Sequence, residues 1–236
     1  MINTISKLTK MNTNENSKKS LRFNSSLPIT IEVIKNLGLD RYKLLLGTKE
    51  FTTKSQKKLE CGGKYWGSFG EGKAGIITIS NLIKKPNFLQ QDKEFLDIEL
   101  SDFLSQISQV ESPISTFKEW IKENLAKDEI EKNTFKIFSI MIIALKKNIM
   151  HLPLKHNKKN TLLQIKLEID NIELYCGYDN LGPMRGYIKQ GILTLEVFYN
   201  QTLFFLNKSN IATNISINKL IEPLYSSDKT MLNLKV

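Results

Sequence analysis

The sequence predicts an α+β fold: a small amino-terminal β-barrel of the OB or SH3-like kind, a helical middle section and a carboxy-terminal antiparallel sheet with a short helix. Three observations predict it. Short alternating apolar runs separated by turn residues occupy 28–86, apolar residues recur at spacings of three and four over 87–150, and the alternating period returns over 151–236. Residues 1–27 are predicted to be a disordered tail, because they are rich in Asn, Ser, Thr and Lys and have few apolar anchors.

Five short strands are predicted in the barrel. Turn residues such as Gly38, Gly47 and the corner at 61–63 separate them at the close spacing typical of an all-β barrel or sandwich. The predicted strands are ITIEVI at 29–34, RYKLLL at 41–46, EFTTK at 50–54, KYWGSF at 64–69 and GIITIS at 75–80.

Three helices are predicted in the middle section. The first carries apolar residues at helical spacing from Phe95 to Ile107. The second begins with Ser112 as its cap and Pro113 at its first helical position. The third, capped by Asp128, runs to about Met150.

The carboxy-terminal part is predicted to begin with an exposed linker that contains both histidines of the chain, His151 and His156. Pro153 lies between them, so they do not share a helical face as a metal pair would. An antiparallel sheet is predicted from TLLQIKLEI, IELYCGY, GYIKQ, ILTLEVF and TLFFLNK, with a short helix near SINKLIEPLY packed on it.

The glycine-rich stretch CGGKYWGSFGEGKAG at 61–75 contains two phosphate-binding patterns, G-x-x-x-x-G-K at 67–73 and G-x-G-x-x-G at 70–75. A Walker loop needs a Ser or Thr after the lysine and a helix behind it, but Ala74 and the strand pattern GIITIS follow. The dinucleotide fingerprint needs the same helix, and a kinase glycine loop needs H-R-D and D-F-G segments that this chain lacks. The stretch therefore predicts two tight turns, not a nucleotide site.

No cofactor, metal site or small-molecule substrate is predicted. Cys61 and Cys176 are far apart and belong to no C-x-x-C pair, so they are expected to be buried or half-buried free thiols in a reducing compartment. No nucleophile motif can be assembled locally, which favours a binding protein over an enzyme of unrecognised type. The longest uncharged apolar run, residues 137–145, is too short for a membrane span.

The net charge of +10 is concentrated in residues 1–86, which contain 16 Lys and Arg but 6 Asp and Glu. A basic amino-terminal part of this kind can bind nucleic acid, an anionic lipid surface or an acidic protein. Compositional bias in a chain rich in Lys, Asn and Ile also accounts for such an excess of positive charge. The barrel could bind single strands where lysines lie near aromatic rings, unless those rings form its core. The candidate nucleic-acid-binding residues are Lys43, Lys54, Lys57, Lys58, Lys64, Tyr65, Trp66 and Lys73.

The segment NLGPMRGYIKQGILTLEVFY at 180–199 resembles the core of the carboxy-terminal domain of the flagellar hook-length control (FliK-like) family. That core has a Leu-Gly pair entering a strand, a short turn around a glycine, and a strand of alternating apolar residues. Leu181 and Gly182 match the pair and Gly191 matches the turn. The alternating face is Leu193, Leu195 and Val197.

The resemblance implies a bacterial, non-enzymatic accessory or substrate-specificity protein of flagellar type III export. It implies contact with a flagellar export-gate protein through residues 160–236, with Leu181, Gly182, Pro183 and Gly191 as partner-binding residues. A cytoplasmic protein is expected, with passage through the flagellar channel as the alternative location. A nucleic-acid-binding module that uses the basic barrel is the alternative function.

Overall fold

A computed structural model of the chain describes residues 6–7, 26–71, 77–209, 211 and 214–226. Strands and helices are both present, so the predicted α+β class is confirmed. Most of the predicted tail at 1–27 lies outside the described residues, except for 26–27 and a two-residue strand at 6–7. The chain divides into two compact units, each built from several separate segments.

The first unit comprises residues 1–85, 179–182 and 199–209 and contains a six-stranded sheet. Its strand order is β1-β6-β5-β2-β3-β4, and all neighbours are antiparallel. The strands are β1 (Ser6–Lys7), β2 (Ile29–Gly38), β3 (Arg41–Leu46), β4 (Lys49–Lys54), β5 (Lys64–Glu71) and β6 (Ile77–Lys84).

Alternate side chains of this sheet form the core of the first unit. On β3, Tyr42, Leu44 and Leu46 are buried because every second residue of a strand points to the same face. The other buried members are Ile31, Val33, Leu59, Tyr65, Phe69 and Ile79. The Cα atoms of the edge strands β1 and β4 come within 8 Å of each other.

The second unit comprises residues 86–178, 183–198 and 210–236. Its sheet has the order β12-β11-β10-β9-β8-β7, in which β11 and β12 are parallel. Two 3-10 turns at Asn87–Leu89 and Asp92–Glu94 precede the helices. The strands are β7 (Ile149–His156), β8 (Lys159–Leu167), β9 (Ile172–Tyr178), β10 (Gly182–Lys189), β11 (Ile192–Val197) and β12 (Asn214–Ile217).

Three helices pack on one face of this second sheet: α1 (Leu100–Ile107), α2 (Pro113–Leu125) and α3 (Lys132–Leu145). Their apolar stripes meet alternate residues of β7 and β8. The buried contacts include Phe103, Phe117, Ile121, Phe138 and Met141 from the helices and Met150, Leu152, Leu154 and Leu163 from the strands.

The predicted bounds of two helices are wrong. The first helix begins at Leu100 and not at Phe95, because residues 96–98 run along the edge of β7 and exchange backbone hydrogen bonds with it. The third helix begins at Lys132 with Glu131 as its N-cap, so Asp128 does not cap it. It ends at Leu145, since Asn148 takes a φ of 58° and leads the chain into β7.

Two elements near the carboxyl end are also corrected. The predicted strand TLFFLNK is part of a helix, α4 (Asn200–Asn207), which buries Thr202 and Leu206 at a spacing of four. The predicted helix near SINKLIEPLY is absent from the described residues 214–226, where β12 is followed by irregular chain. β12 pairs with β11 in the parallel direction, so the sheet is not wholly antiparallel.

Candidate functional site

The segment at 182–197 forms a strand, a tight turn and a second strand. Lys189 pairs with Ile192, so Gln190 and Gly191 are the two turn residues, with φ of 50° and 76°. Two successive positive φ values are typical of a type I′ hairpin turn. The turn predicted around Gly191 is therefore confirmed.

The glycine at 182 is required by packing inside the first unit. Its φ is 74°, and a Cβ atom at this position would lie 2.6 Å from two ring atoms of Tyr199. The Tyr199 hydroxyl donates to the carbonyl of Asn81 at 2.9 Å, while the Leu181 carbonyl accepts from the Thr202 hydroxyl at 2.7 Å. The Leu-Gly pair is thus held against α4 and its N-cap residue.

The four predicted partner-binding residues differ in accessibility. Gly182 and Pro183 are buried and Leu181 is half-buried. Gly191 is exposed, with open space where a side chain would be.

The aromatic and the basic members of the predicted nucleic-acid-binding set differ in solvent exposure. The aromatic rings of Tyr65 and Trp66 are 4% and 1% exposed, and the Tyr65 hydroxyl accepts from the backbone amide of Glu60 at 3.0 Å. Lys85 lies 5.3 Å from the centre of the Trp66 ring. These rings offer no free face on which a base could stack.

The lysines of the set are more accessible. Lys54, Lys57 and Lys58 are exposed, whereas Lys43 and Lys64 are half-buried. Lys73 lies outside the described residues, because the structure does not describe residues 72–76 of the glycine-rich stretch.

Sequence reasoning missed a small cleft of about 70 Å³ in the second unit. It lies among residues 87–94, α3 and β7, and His151 lines it. The histidine predicted to be exposed in a linker is instead 1% exposed, because it lies in β7. The other polar residues of the cleft are Gln91, Lys93, Glu94, Asn133 and Lys136.

Gln164 determines the hydrogen-bonding state of His151. The Gln164 Nε2 group donates to the Tyr225 carbonyl at 2.8 Å, and Oε1 accepts from the Tyr225 amide at 3.1 Å. These two bonds fix which end of the amide is the nitrogen, and that nitrogen lies 2.9 Å from His151 Nδ1. Nδ1 is therefore the acceptor, and the neutral ring carries its proton on Nε2.

Burial keeps this ring neutral. The His151 ring packs against Phe88 at a centroid distance of 4.4 Å and meets the edge of Tyr225 at 5.6 Å. Loss of solvation lowers the pKa of His151 to about 3. Among the residues that the structure describes, no hydrogen-bond partner reaches Nε2. The cleft can thus offer one N–H donor, but its histidine has no free lone pair for base catalysis.

Two further titratable groups in the second unit are equally unsuited to chemistry at neutral pH. Burial raises the pKa of the Cys176 thiol to about 12. Burial also raises the pKa of the Tyr175 hydroxyl above its ordinary value. Within the described ranges, no three His, Cys, Asp or Glu side chains are grouped as a metal site requires, and no helix is long and apolar enough to cross a membrane.

The helix α4 exposes two adjacent aromatic rings. Phe204 is 64% and Phe205 is 45% exposed, and the Lys208 ammonium lies 4.2 Å from the Phe204 ring centre. The incorrect strand prediction would have placed these two rings on opposite faces. On a helix, Phe204 lies opposite the buried pair Thr202 and Leu206, and Phe205 lies beside that pair.

No family model, no curated protein and no solved structure matches this chain. The resemblance of residues 180–199 to the flagellar hook-length control family therefore stays a prediction.

Proposed function

We propose that this chain is a non-enzymatic accessory or substrate-specificity protein of flagellar type III export, acting through protein–protein contacts of residues 160–236. The observation that carries the proposal is the exposed pair Phe204 and Phe205 on α4. Aromatic side chains are enriched at binding hot spots, because they bury a large area at a small cost in side-chain entropy. The partner is proposed to cover these two rings.

The state of two titratable groups in the second unit, His151 in the cleft and Cys176 outside it, supports a binding role. His151 is a neutral hydrogen-bond donor with its Nδ1 lone pair occupied, and the Cys176 thiol is protonated at neutral pH. Neither group is a base or a nucleophile in that state.

The choice of a flagellar export-gate protein as the partner rests on the resemblance at 180–199. The geometry there has the features that the resemblance implies: Gly182 begins β10, Gly191 lies in the turn, and β11 follows. A cytoplasmic location is part of the same proposal. The first sheet is proposed to close as a small barrel, since its edge strands β1 and β4 approach each other.

A pull-down of the purified full chain against export-gate cytoplasmic domains tests the proposal. We expect enrichment over an unrelated basic protein, and its loss in the double variant Phe204→Ser, Phe205→Ser. The matched control is Phe135→Ser, since Phe135 is also a helical phenylalanine and is 49% exposed. No enrichment of the unchanged protein would overturn the assignment, as would normal hooks and motility in cells that lack the gene.

Nucleic-acid binding is the second candidate, favoured by the exposed lysines Lys54, Lys57 and Lys58 at the end of β4 and just beyond it. Phosphate contacts would then supply the affinity without base stacking. Fluorescence anisotropy with labelled oligonucleotides over a salt series tests it, because such binding must weaken steeply as the salt concentration rises. Flat anisotropy at low salt would exclude it.

A further inference from the structure

The hairpin that joins β2 to β3 exposes two leucines at its tip. Leu37 is 43% and Leu39 is 81% exposed, and neither belongs to the core of the first unit. Leu39 has a φ of 49° and Asp40 a φ of 58°. Such turn positions favour Asn and Gly, so leucine is an unfavourable choice for the backbone as well as for solvent.

The tip is held in place by hydrogen bonds. The Asp40 carbonyl accepts from the Ser55 amide at 2.9 Å, and the Gly38 amide donates to the Asn36 side chain at 2.9 Å. The leucines are therefore presented on an ordered turn, which would lower the entropic cost of binding.

Four cationic side chains share the outer face of the strands next to this tip. Lys35 is the register partner of Lys43, and Arg41 is the register partner of Lys54. Arg41 and Lys43 alternate with the buried Tyr42, so the four point away from the core. Like charges directly opposite each other on a sheet are destabilising, and an anionic partner would relieve that repulsion.

Little of this charge is neutralised by the chain itself. Lys43 pairs with Glu50 at 2.5 Å. Lys35, Arg41 and Lys54 form no ion pair with any residue in the described part of the chain.

We propose that this surface, made of Leu37 and Leu39 with Lys35, Arg41, Lys43 and Lys54, binds an anionic lipid bilayer. The leucines enter the boundary between headgroups and acyl chains, while the cations lie against the anionic headgroups. A nucleic acid would match the charge but has no place for exposed aliphatic side chains. This inference is independent of the proposed export role.

Vesicle flotation of the full chain tests it. We expect binding to phosphatidylcholine vesicles that contain phosphatidylserine, no binding to phosphatidylcholine alone, and weaker binding as salt increases. Removing Arg41 and Lys54 together, as Arg41→Gln and Lys54→Gln, should weaken binding by about 25-fold, because each basic side chain near such a surface contributes about fivefold. The exposed lysines Lys158 and Lys159 provide the charge-matched control.

The decisive variant is Leu39→Asn. Asparagine tolerates the positive φ, so the variant should melt at or above the temperature of the unchanged protein while its vesicle binding falls by about tenfold or more. Ile169→Ser is the matched control, since Ile169 is a fully exposed aliphatic residue in another turn, and it should bind like the unchanged protein.

Three results would overturn the inference. They are equal binding to both kinds of vesicle, undiminished vesicle binding of Leu39→Asn, and an absence of vesicle binding together with oligonucleotide binding that is weakened by Arg41→Gln and Lys54→Gln. The last result would assign the surface to nucleic acid.

Discussion

Gln164 binds the backbone of Tyr225 through both its carbonyl oxygen and its amide nitrogen, at 3.1 and 2.8 Å. The same nitrogen lies 2.9 Å from His151 Nδ1. One side chain in β8 therefore holds the segment around residue 225 against the sheet and also determines where the neutral histidine carries its proton.

Gln164→Leu should lower the free energy of unfolding by at least about 2 kcal/mol. The change removes the hydrogen bonds that Gln164 forms with the Tyr225 amide, the Tyr225 carbonyl and His151 Nδ1, and the loss of one partner of a buried hydrogen bond costs about 1–3 kcal/mol. Urea unfolding measures the loss. Gln56→Leu is the control, because Gln56 is exposed; equal effects of the two changes would contradict the role given to Gln164.

The stability of the protein should fall as the pH drops from 7 to 5, in part because of His151. Its pKa in the folded state, about 3, lies below the unfolded value of 6.5, so the unfolded chain binds more protons between these values. Unfolding is then favoured by about 1.4 kcal/mol for each pH unit below 6.5, or about 2 kcal/mol at pH 5.

Urea unfolding of His151→Gln at pH 7 and pH 5 checks this. The variant should lose the part that His151 contributes, about 2 kcal/mol between pH 7 and pH 5. A pH dependence that survives undiminished in His151→Gln would show that other groups cause it.

Gly182→Ala should destabilise the protein by more than Gly191→Ala. Both glycines have a positive φ, near 75°, which costs an alanine about 1 kcal/mol. Only at position 182 would the new Cβ also meet a ring, that of Tyr199 at 2.6 Å. Thermal unfolding of the two variants separates the backbone cost from the steric one; equal melting temperatures would mean that Tyr199 moves aside freely.

A thiol reagent should modify Cys61 much faster than the half-buried Cys176 in the folded protein. Cys61 is exposed, whereas burial raises the pKa of the Cys176 thiol to about 12, so almost none of it is the reactive thiolate at pH 8. Labelling kinetics with and without denaturant measure both groups. Labelling of the folded Cys61→Ser variant as fast as that of the unchanged protein would contradict the raised pKa of the Cys176 thiol.

The strands of the first sheet could be predicted because their ends are determined by local backbone chemistry. Gly38, Gly47 and Gly62 have φ of 81°, 62° and 76°, which other residues adopt only with strain. Strands β2 to β5 contain the predicted runs entirely.

Elements of the carboxy-terminal part were harder to predict, because the sequence of an apolar run does not determine which surface the run packs against. TLFFLNK fits either period, and the burial of Thr202 and Leu206 favours the helix. β7 was not predicted: the predicted third helix extends to about Met150, and the residues after it, which include Pro153, are assigned to an exposed linker. Proline is tolerated there because β7 is an edge strand.

The cleft was beyond local sequence patterns. His151 and Gln164 are 13 residues apart, and Gln164 and Tyr225 are 61 apart, so no spacing rule connects them. The burial of His151 could have been predicted only if β7 had been recognised as a strand that is covered on both faces. The side chains at 149–154 are all buried.

The first unit consists of three separate segments of the chain, and this limits how early it can fold during synthesis. Lys85 forms an ion pair with Asp179, and the Asn81 carbonyl accepts from Tyr199, so β6 depends on partners synthesised about a hundred residues later. A ribosome that has released only residues 1–85 has not yet supplied 179–182 or α4. The amino-terminal sheet therefore stays incompletely covered until residue 209 has emerged, and the first unit cannot complete its folding in the order of the sequence.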